Sequence, residues 1–210
     1  MSSSRYIAVM VLLSLTCTPS PTHGAVTAWT AVVVRVYDAN GVLAGTNGQA
    51  LDQASKALEA ASIDVIWRRC PASPSCDAPL APGELAIRIV RAPAPPRYSG
   101  TLPLGDAMID TRGGTGVLAT VYVDRIEWLA HEAGADSRAL LGRAIAHELG
   151  HLLLATTTHG PVGLMRAHWS QDEVRRGRPR DWNFAPTELA AMRRRVEARE
   201  RDARLAWGTR

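Results

Sequence analysis

The residues that could do chemistry are concentrated in one short segment, H-E-L-G-H, which begins at His147 and ends at His151. Histidines four positions apart on a helix project from one face, where a single zinc ion at about 2.0–2.1 Å can meet both. Glu148 is rotated by about 100° from His147, so it can take a proton from a zinc-activated water. The segment therefore predicts two metal ligands and a general base.

An accidental run of the same letters in a buried helix is the alternative interpretation. Two imidazoles and a carboxylate are costly on an apolar helix unless they are paired or ligated, and three of the six histidines lie between positions 147 and 159. A catalytic zinc keeps one position open for water, so three protein ligands are expected. His159 is the candidate third ligand. We expect the helix to end near Leu154 and the following loop, A-T-T-T, to turn back toward the metal.

The order of these residues resembles the catalytic motif of the metzincins, zinc endopeptidases in which a third histidine and a methionine turn follow H-E-x-x-H. H-E-L-G-H, His159 and Met165 occur here in that order. The resemblance implies one zinc ion held by three histidines and a structural role for Met165 in a turn beneath the metal. It also implies a peptide substrate that pairs with an edge strand, here residues 116–124.

The spacing departs from the common metzincin form, H-E-x-x-H-x-x-G-x-x-H. Leu154 stands where that motif has its glycine, and Thr157 stands where it has the third histidine. His159 comes two residues later, which implies a slightly longer helix and a longer return loop. The tyrosine that stabilises an oxyanion in some metzincins is also missing. Arg166 and His168 are the nearby candidates for that role.

Hydrophobic periodicity indicates the elements that must position these residues. Short β-branched runs predict strands at residues 28–38, 63–67, 85–90 and 116–124. Apolar residues at helical spacing predict helices at residues 48–62, 135–154 and 186–207. The Pro- and Gly-rich residues 92–105 are expected to be an irregular connection. The predicted fold class is α+β and zincin-like: a small mixed β-sheet with a backing helix, a central zinc-binding helix and a C-terminal helix.

Residues 1–24 have the layout of a secretory signal peptide: Arg5, an apolar run too short to span a bilayer, then small and polar residues. Cys17 offers a lipid anchor as an alternative, although the residues before it fit such a site poorly. No membrane span is predicted for the mature chain. Export leaves Cys70 and Cys76, an even number in an oxidising compartment, which predicts a disulfide between them.

Residues 25–210 suit a single metalloprotease-like catalytic domain, with a cleft between residues 25–154 and 155–210. The net charge of +4 is modest, and the densest basic run alternates with acidic residues. Such alternation indicates a solvated helix face and no nucleic-acid partner. The sequence therefore predicts a secreted or periplasmic zinc-dependent endopeptidase that acts on proteins or peptides, and it leaves the oligomeric state open.

Two other functions are compatible with the sequence. A gluzincin-type zinc peptidase would keep H-E-L-G-H and take a downstream carboxylate, Glu173 or Glu188, as its third ligand. A non-catalytic exported zinc-binding module would need the histidines but no general base. The leader and Met165 argue against the first function, and the presence of Glu148 weakens the second.

Overall fold

A computed structural model describes residues 29–70, 76–92 and 103–208 of the chain. The predicted leader, including Cys17, lies outside the described residues. The strands are β1 Thr30–Asp38, β2 Ile63–Arg69, β3 Leu85–Val90, β4 Gly105–Asp110 and β5 Thr115–Tyr122. The α-helices are α1 Gln49–Glu59, α2 Val123–Ala133, α3 Ser137–Leu154, α4 Gln171–Arg176 and α5 Pro186–Gly208. Two short 3₁₀ helices span Val42–Thr46 and Pro179–Trp182.

The five strands form one mixed sheet in the order β2-β1-β3-β5-β4. The first four are mutually parallel, and β4 runs antiparallel to β5. Alternate residues on one face of the sheet are fully buried, among them Val34, Ile63, Ile87 and Val121. This apolar face forms the core with α1 and α3 because period-2 alternation turns every second side chain to the same side.

The H-E-L-G-H segment lies on α3, which is held close to α1 and the sheet. Gly142 makes this close approach possible, since a Cβ there would lie 2.4 Å from the Ala50 carbonyl oxygen of α1. The apolar face of α1, which includes Leu51 and Leu58, is buried in the same core. Helix α3 is therefore a buried, closely packed central element on which a site can be built.

The C-terminal helix α5 forms hydrogen bonds to α3 and to the N-terminal ends of β1 and β5. Half-buried Arg199 donates one hydrogen bond to the Gly116 carbonyl oxygen at 2.8 Å and one to the Leu152 carbonyl oxygen at 3.2 Å. Glu200 accepts a hydrogen bond from the Ala31 amide at the start of β1. Within the described part of the chain, every helix is too short or too polar to cross a lipid bilayer.

The four predicted strands and three predicted helices are present, but β4, α2 and α4 were missed. Residues 92–105 were expected to be an irregular connection; residues 93–102 lie outside the described part of the chain, and β4 begins at Gly105. The strand predicted at 116–124 ends at Tyr122, and α2 follows immediately. The expectation that this strand forms the edge above the cleft is wrong, because β5 pairs with β3 on one side and with β4 on the other. The edge strand on this side of the sheet is β4, and β2 forms the other edge.

Cys70 and Cys76 form the predicted disulfide, with Cα atoms 5.7 Å apart. Residues 71–75 between them lie outside the described part of the chain. The bond joins the end of β2 to the connection that leads into β3. Such a bond is compatible with an extracytoplasmic protein.

Candidate metal centre

Helix α3 carries two of the three predicted ligands and the predicted base into the interior. Asp136 caps the helix by accepting a hydrogen bond from the Arg138 amide, as short polar side chains do at helix N-termini. Leucine, isoleucine and alanine side chains surround the helix, so His147, Glu148 and His151 are at most 8% exposed. Polar groups so deeply buried need partners or a bound ion.

The chain turns back immediately after α3, as expected from the change in sequence. Ala155 adopts a left-handed conformation with φ 47°, and its amide donates to the His151 carbonyl oxygen. This ends the helix at Leu154 without the glycine that usually occupies such a position. The loop that follows brings His159 alongside α3.

A second turn holds this loop in place. The Gly160 amide donates to the Met165 carbonyl oxygen at 2.8 Å, and Gly160 pairs with Arg166. Met165 is buried against α3 at Gly150, where a Cβ would lie 2.5 Å from the methionine sulfur. The glycine of H-E-L-G-H therefore allows Met165 to pack directly behind the histidines.

The three imidazoles converge through their Nε2 atoms. Nε2 of His151 lies 3.1 Å from Nε2 of His147 and 3.3 Å from Nε2 of His159. The ligand atoms of the three residues all lie within 4.8 Å of one another, so among the described residues they form a cluster that could hold a metal ion. Nitrogen atoms around a tetrahedral zinc are about 3.4 Å apart for bonds of about 2.1 Å.

Hydrogen bonds at the opposite ring nitrogens fix the tautomers of two of these imidazoles. Nδ1 of His147 donates to the Leu164 carbonyl oxygen at 2.8 Å, and Nδ1 of His151 donates to the Thr156 carbonyl oxygen at 2.7 Å. Burial lowers the pKa of both residues, that of His147 to about 4. Neutral rings protonated at Nδ1 leave Nε2 lone pairs facing one another, an arrangement that a cation stabilises. The residues fit a zinc ion.

Glu148 lies beside the cluster in a tight, apolar setting. Its carboxylate packs against the backbone of β4, where a Cβ on Gly105 would be 2.6 Å from Oε1. Oε2 is buried and has no hydrogen-bond partner among the described residues. Burial and the charge of Asp106 raise the pKa of Glu148 to about 8, and a cation at the imidazoles would act in the opposite direction.

A cavity of about 530 Å³ opens over the cluster. Residues of β4, α2, α3 and the segment 166–171 line it, so parts of the chain on both sides of Leu154 contribute. Its walls are largely apolar, with Trp128 on α2 facing the same space as Trp169. A largely apolar cavity with a few convergent polar groups is the usual form of a ligand site.

The two alternative carboxylate ligands lie elsewhere. Glu173 forms a capping box with Ser170 at the start of α4 and an ion pair with Arg166 at 3.1 Å. Glu188 accepts a hydrogen bond from the Ala185 amide at the start of α5. Both carboxylates are thus engaged at helix N-termini, and the metal-binding cluster contains His159 in their place.

Trp169 was missed in the sequence although it contacts a predicted ligand. Its ring meets the His147 ring edge-on, with centroids 5.6 Å apart, and it also packs against Trp182 at 5.1 Å. The guanidinium of Arg143 lies 4.1 Å from the Trp182 ring centroid. The sequence could have placed Trp169 near the site, because it follows Met165 by only four residues. Its contacts with His147 and Trp182 could not be predicted, because those residues are remote in the chain.

Comparisons with known proteins add a limited finding. No family model and no curated protein matches the chain. Among solved structures, an archaemetzincin from Methanopyrus kandleri is similar at 17% sequence identity, with 80% of this chain and 96% of that chain covered and a TM-score of 0.48. Values this low do not establish a shared family or activity. The proposal for what this site does is therefore based on the geometry of its own side chains.

Proposed function

We propose that this protein is an exported zinc-dependent peptidase that hydrolyses peptide bonds in proteins or peptides. The observation that carries the proposal is the convergence of three Nε2 atoms beside the buried carboxylate of Glu148, at the floor of an open cavity. A purely structural zinc site closes four protein ligands around the ion, whereas three ligands leave a position for a reactant. A structural site also has no use for a buried carboxylate oxygen, here Oε2 of Glu148, that lacks a hydrogen-bond partner among the described residues.

His147, His151 and His159 would hold the ion. Bound zinc supplies a Lewis acid for the scissile carbonyl and the attacking water. Glu148 then accepts the proton of that water through Oε2, which has no other partner among the described residues. The same carboxyl passes the proton to the departing amine as the C–N bond breaks. The largely apolar walls of the cavity lower the local dielectric and so strengthen these interactions.

The edge strand β4 is the proposed binding surface for an extended substrate. The Tyr122 amide donates to the Leu104 carbonyl oxygen, so in this antiparallel ladder the pairs 104–122 and 106–120 are the hydrogen-bonded ones. The backbone groups of Gly105 and Ala107 therefore point away from β5. Both residues also line the cavity, so a peptide that adds a strand here runs past Glu148.

Replacing Ala107 with proline tests this surface. The ring removes an outward-facing amide and leaves the ladder with β5 intact, so stability should change little. Loss of one hydrogen bond, worth about 0.5–1.5 kcal/mol, should lower kcat/KM by about 2- to 13-fold. Steady-state kinetics on a quenched fluorescent peptide give this value. Ala107→Ser keeps the amide and should lose less, and an equal loss in both variants would contradict backbone pairing.

The identity of the third ligand is tested by zinc affinity. His159→Ala should lower the affinity more than about 100-fold, because loss of a ligand exceeds the 10- to 100-fold effect of outer partners. Competition with a chromophoric chelator measures it. His131→Ala, which removes an exposed histidine of α2, should leave the affinity unchanged. A loss in Glu173→Gln with no loss in His159→Ala would instead support a gluzincin-type site.

Hydrolysis itself is tested with a library of quenched fluorescent peptides. We expect cleavage by the zinc-loaded chain, loss of cleavage with a chelator, and recovery when zinc is returned. Tight zinc binding with no cleavage of any library peptide would favour a non-catalytic zinc-binding module.

A further inference from the structure

The cavity wall carries one carboxylate that the proposed mechanism does not use. Asp106 of β4 is exposed and lines the cavity. It follows Gly105, which packs against Glu148, and its charge contributes to the raised pKa of Glu148, so Asp106 lies close to the proposed base. Arg166 and His168, the sequence candidates for stabilising an oxyanion, also line the cavity. Charged groups at a binding surface select partners of complementary charge, which makes Asp106 a candidate for substrate selection.

The side chain of Asp106 lies on the face of the sheet opposite α3. Gly105 pairs with Val121, whose side chain belongs to the core face that packs against α3. Asp106 pairs with Thr120, one residue further along each strand, so its side chain projects to the other face. On that face the Tyr122 hydroxyl donates a hydrogen bond to Oδ1 of Asp106. This bond orients the carboxylate at the edge of the sheet.

Two arginines lie near this carboxylate, and both donate to other acceptors. Arg88 donates to the Thr120 hydroxyl at 2.9 Å. Arg125 donates to the carbonyl oxygen of residue 103 at 2.8 Å, and its guanidinium lies 4.0 Å from the centroid of the Tyr122 ring. Among the residues that the structure describes, the Tyr122 hydroxyl is the one group that bonds to the Asp106 carboxylate. A carboxylate accepts up to about four hydrogen bonds, so Asp106 can accept further donors.

A peptide that adds a strand to β4 places one of its side chains beside Asp106. The backbone groups of Gly105 and Ala107 point away from β5 and would form the hydrogen-bonded pairs with the peptide. In an antiparallel pair, the peptide residue opposite Asp106 then occupies a non-hydrogen-bonded pair, in which the Cα atoms are about 4.5 Å apart. Side chains directly opposite each other share a face of the sheet. The two neighbouring peptide residues therefore face α3 and the histidine cluster, and the residue between them faces Asp106.

We propose that Asp106 is a specificity-determining residue that selects peptides with an arginine or lysine opposite it, close to the bond that is cleaved. The role rests on the proposed peptidase function and gives it a substrate class. Opposite charges in a cross-strand pair attract, and like charges repel. A free α-amine carries the same charge, but a peptide that begins at this position has no residue to pair with one of the two neighbouring backbone groups of β4. The side chain is therefore the source that fits the pairing.

The test measures kcat/KM of the zinc-loaded full chain on N-acetylated quenched fluorescent peptides. Arginine or its neutral analogue citrulline is placed in turn at each position near the cleaved bond. At one position arginine should exceed citrulline by about 1.5- to 5-fold, the effect of an exposed cross-strand ion pair. At the positions on either side the ratio should be close to 1, because those side chains face α3.

Three variants assign the preference to one carboxylate. Asp106→Asn keeps an acceptor for the Tyr122 hydroxyl and should bring the arginine-to-citrulline ratio to about 1. Asp106→Lys should reverse the charge preference, so that glutamate exceeds glutamine at the same position. Asp64→Asn removes an exposed carboxylate from β2, at the other edge of the sheet, and should keep the wild-type ratio.

Several results would overturn the assignment. These are equal rates for arginine and citrulline at every position, a preference that survives Asp106→Asn, or a preference of the same size at all positions. A preference seen only in peptides that begin at this position with a free α-amine would replace the side chain by the amine. Equal cleavage of both peptides leaves the peptidase function standing, whereas cleavage of neither contradicts that function. In the latter case the ratio of the two dissociation constants, measured by isothermal titration calorimetry, decides whether Asp106 selects a cation, and binding of neither peptide overturns both proposals.

Discussion

Glu148→Gln is expected to lower kcat for peptide hydrolysis by about 10²- to 10⁴-fold, the usual contribution of a positioned general base. Glutamine has nearly the shape of glutamate and fits the same space against Gly105, but its amide cannot accept a proton from the attacking water. KM should change less than kcat, because the lost interaction belongs to the transition state. Steady-state kinetics on the best-cleaved library peptide separate the two constants.

Zinc binding should survive this substitution. The proposed ligand set consists of three imidazole nitrogens, and the carboxylate of Glu148 is not among them. One zinc ion per chain, measured by atomic emission on the purified variant, is therefore the expected content. Loss of zinc in Glu148→Gln would make the carboxylate a ligand and would contradict the assignment of a base.

A matched control is available on α2. Glu132 is an exposed glutamate, so Glu132→Gln changes the net charge by the same amount without entering the cavity. Its kcat and KM should equal those of the wild type. Retention of wild-type kcat in Glu148→Gln, at full zinc content, would rule out the proposed mechanism.

The parts of the site that sequence alone predicted are those governed by local geometry. His147 and His151 share a face because of the pitch of one helix, and the loss of apolar residues after Leu154 indicated where that helix ends. The return of His159 was expected from the chemistry of a three-ligand site. The turn itself depends on Ala155, whose backbone adopts the left-handed conformation. An alanine gives no sequence signal for that conformation.

The parts that were missed depend on contacts between remote segments. Strand β4 has only six residues, and Asp106 and Asp110 occupy exposed positions on it. It follows a Pro- and Gly-rich stretch, so its sequence gives no clear strand pattern. Its place at the edge is decided by pairing with β5, which a single sequence does not reveal. Helix α2 had a readable pattern, since Val123, Ile126 and Leu129 are buried at helical spacing. The β-branched residues before it extended the strand prediction into its first turn.

The same dependence on remote contacts applies to a buried ion pair that lies against residues 78–81. Arg35 of β1 is 3% exposed and lies 2.6 Å from Glu84, which is 7% exposed. Arg35 also donates to the carbonyl oxygens of Ala78 and Pro79, and Glu84 accepts from the Ala81 amide. This pair holds the connection between β2 and β3 against the sheet.

Glu84→Gln is expected to lower the free energy of unfolding by about 3–5 kcal/mol, because it leaves the Arg35 charge buried without its partner. Urea denaturation of the zinc-free chain gives the value without a contribution from metal binding. Asp172→Asn removes the acidic member of an exposed ion pair with Arg175 and should cost less than about 1 kcal/mol. Glu84 directly precedes β3 and does not line the cavity, so the activity of Glu84→Gln should follow the folded fraction.

The pH dependence of stability provides a second readout of the same pair. Burial opposes ionisation of Glu84, but the Ala81 amide and the guanidinium groups of Arg35 and Arg68 hold its pKa below the ordinary 4.5. The pair therefore contributes fully above about pH 4.5 and loses its contribution as the pH falls through the lower folded value. Glu84→Gln should reduce the fall of the unfolding free energy with decreasing pH in that range.

A double variant, Arg35→Met with Glu84→Met, should recover much of the stability, since apolar replacements of a buried pair are often neutral. If the single variant is as stable as the wild type, the pair does not hold the fold together.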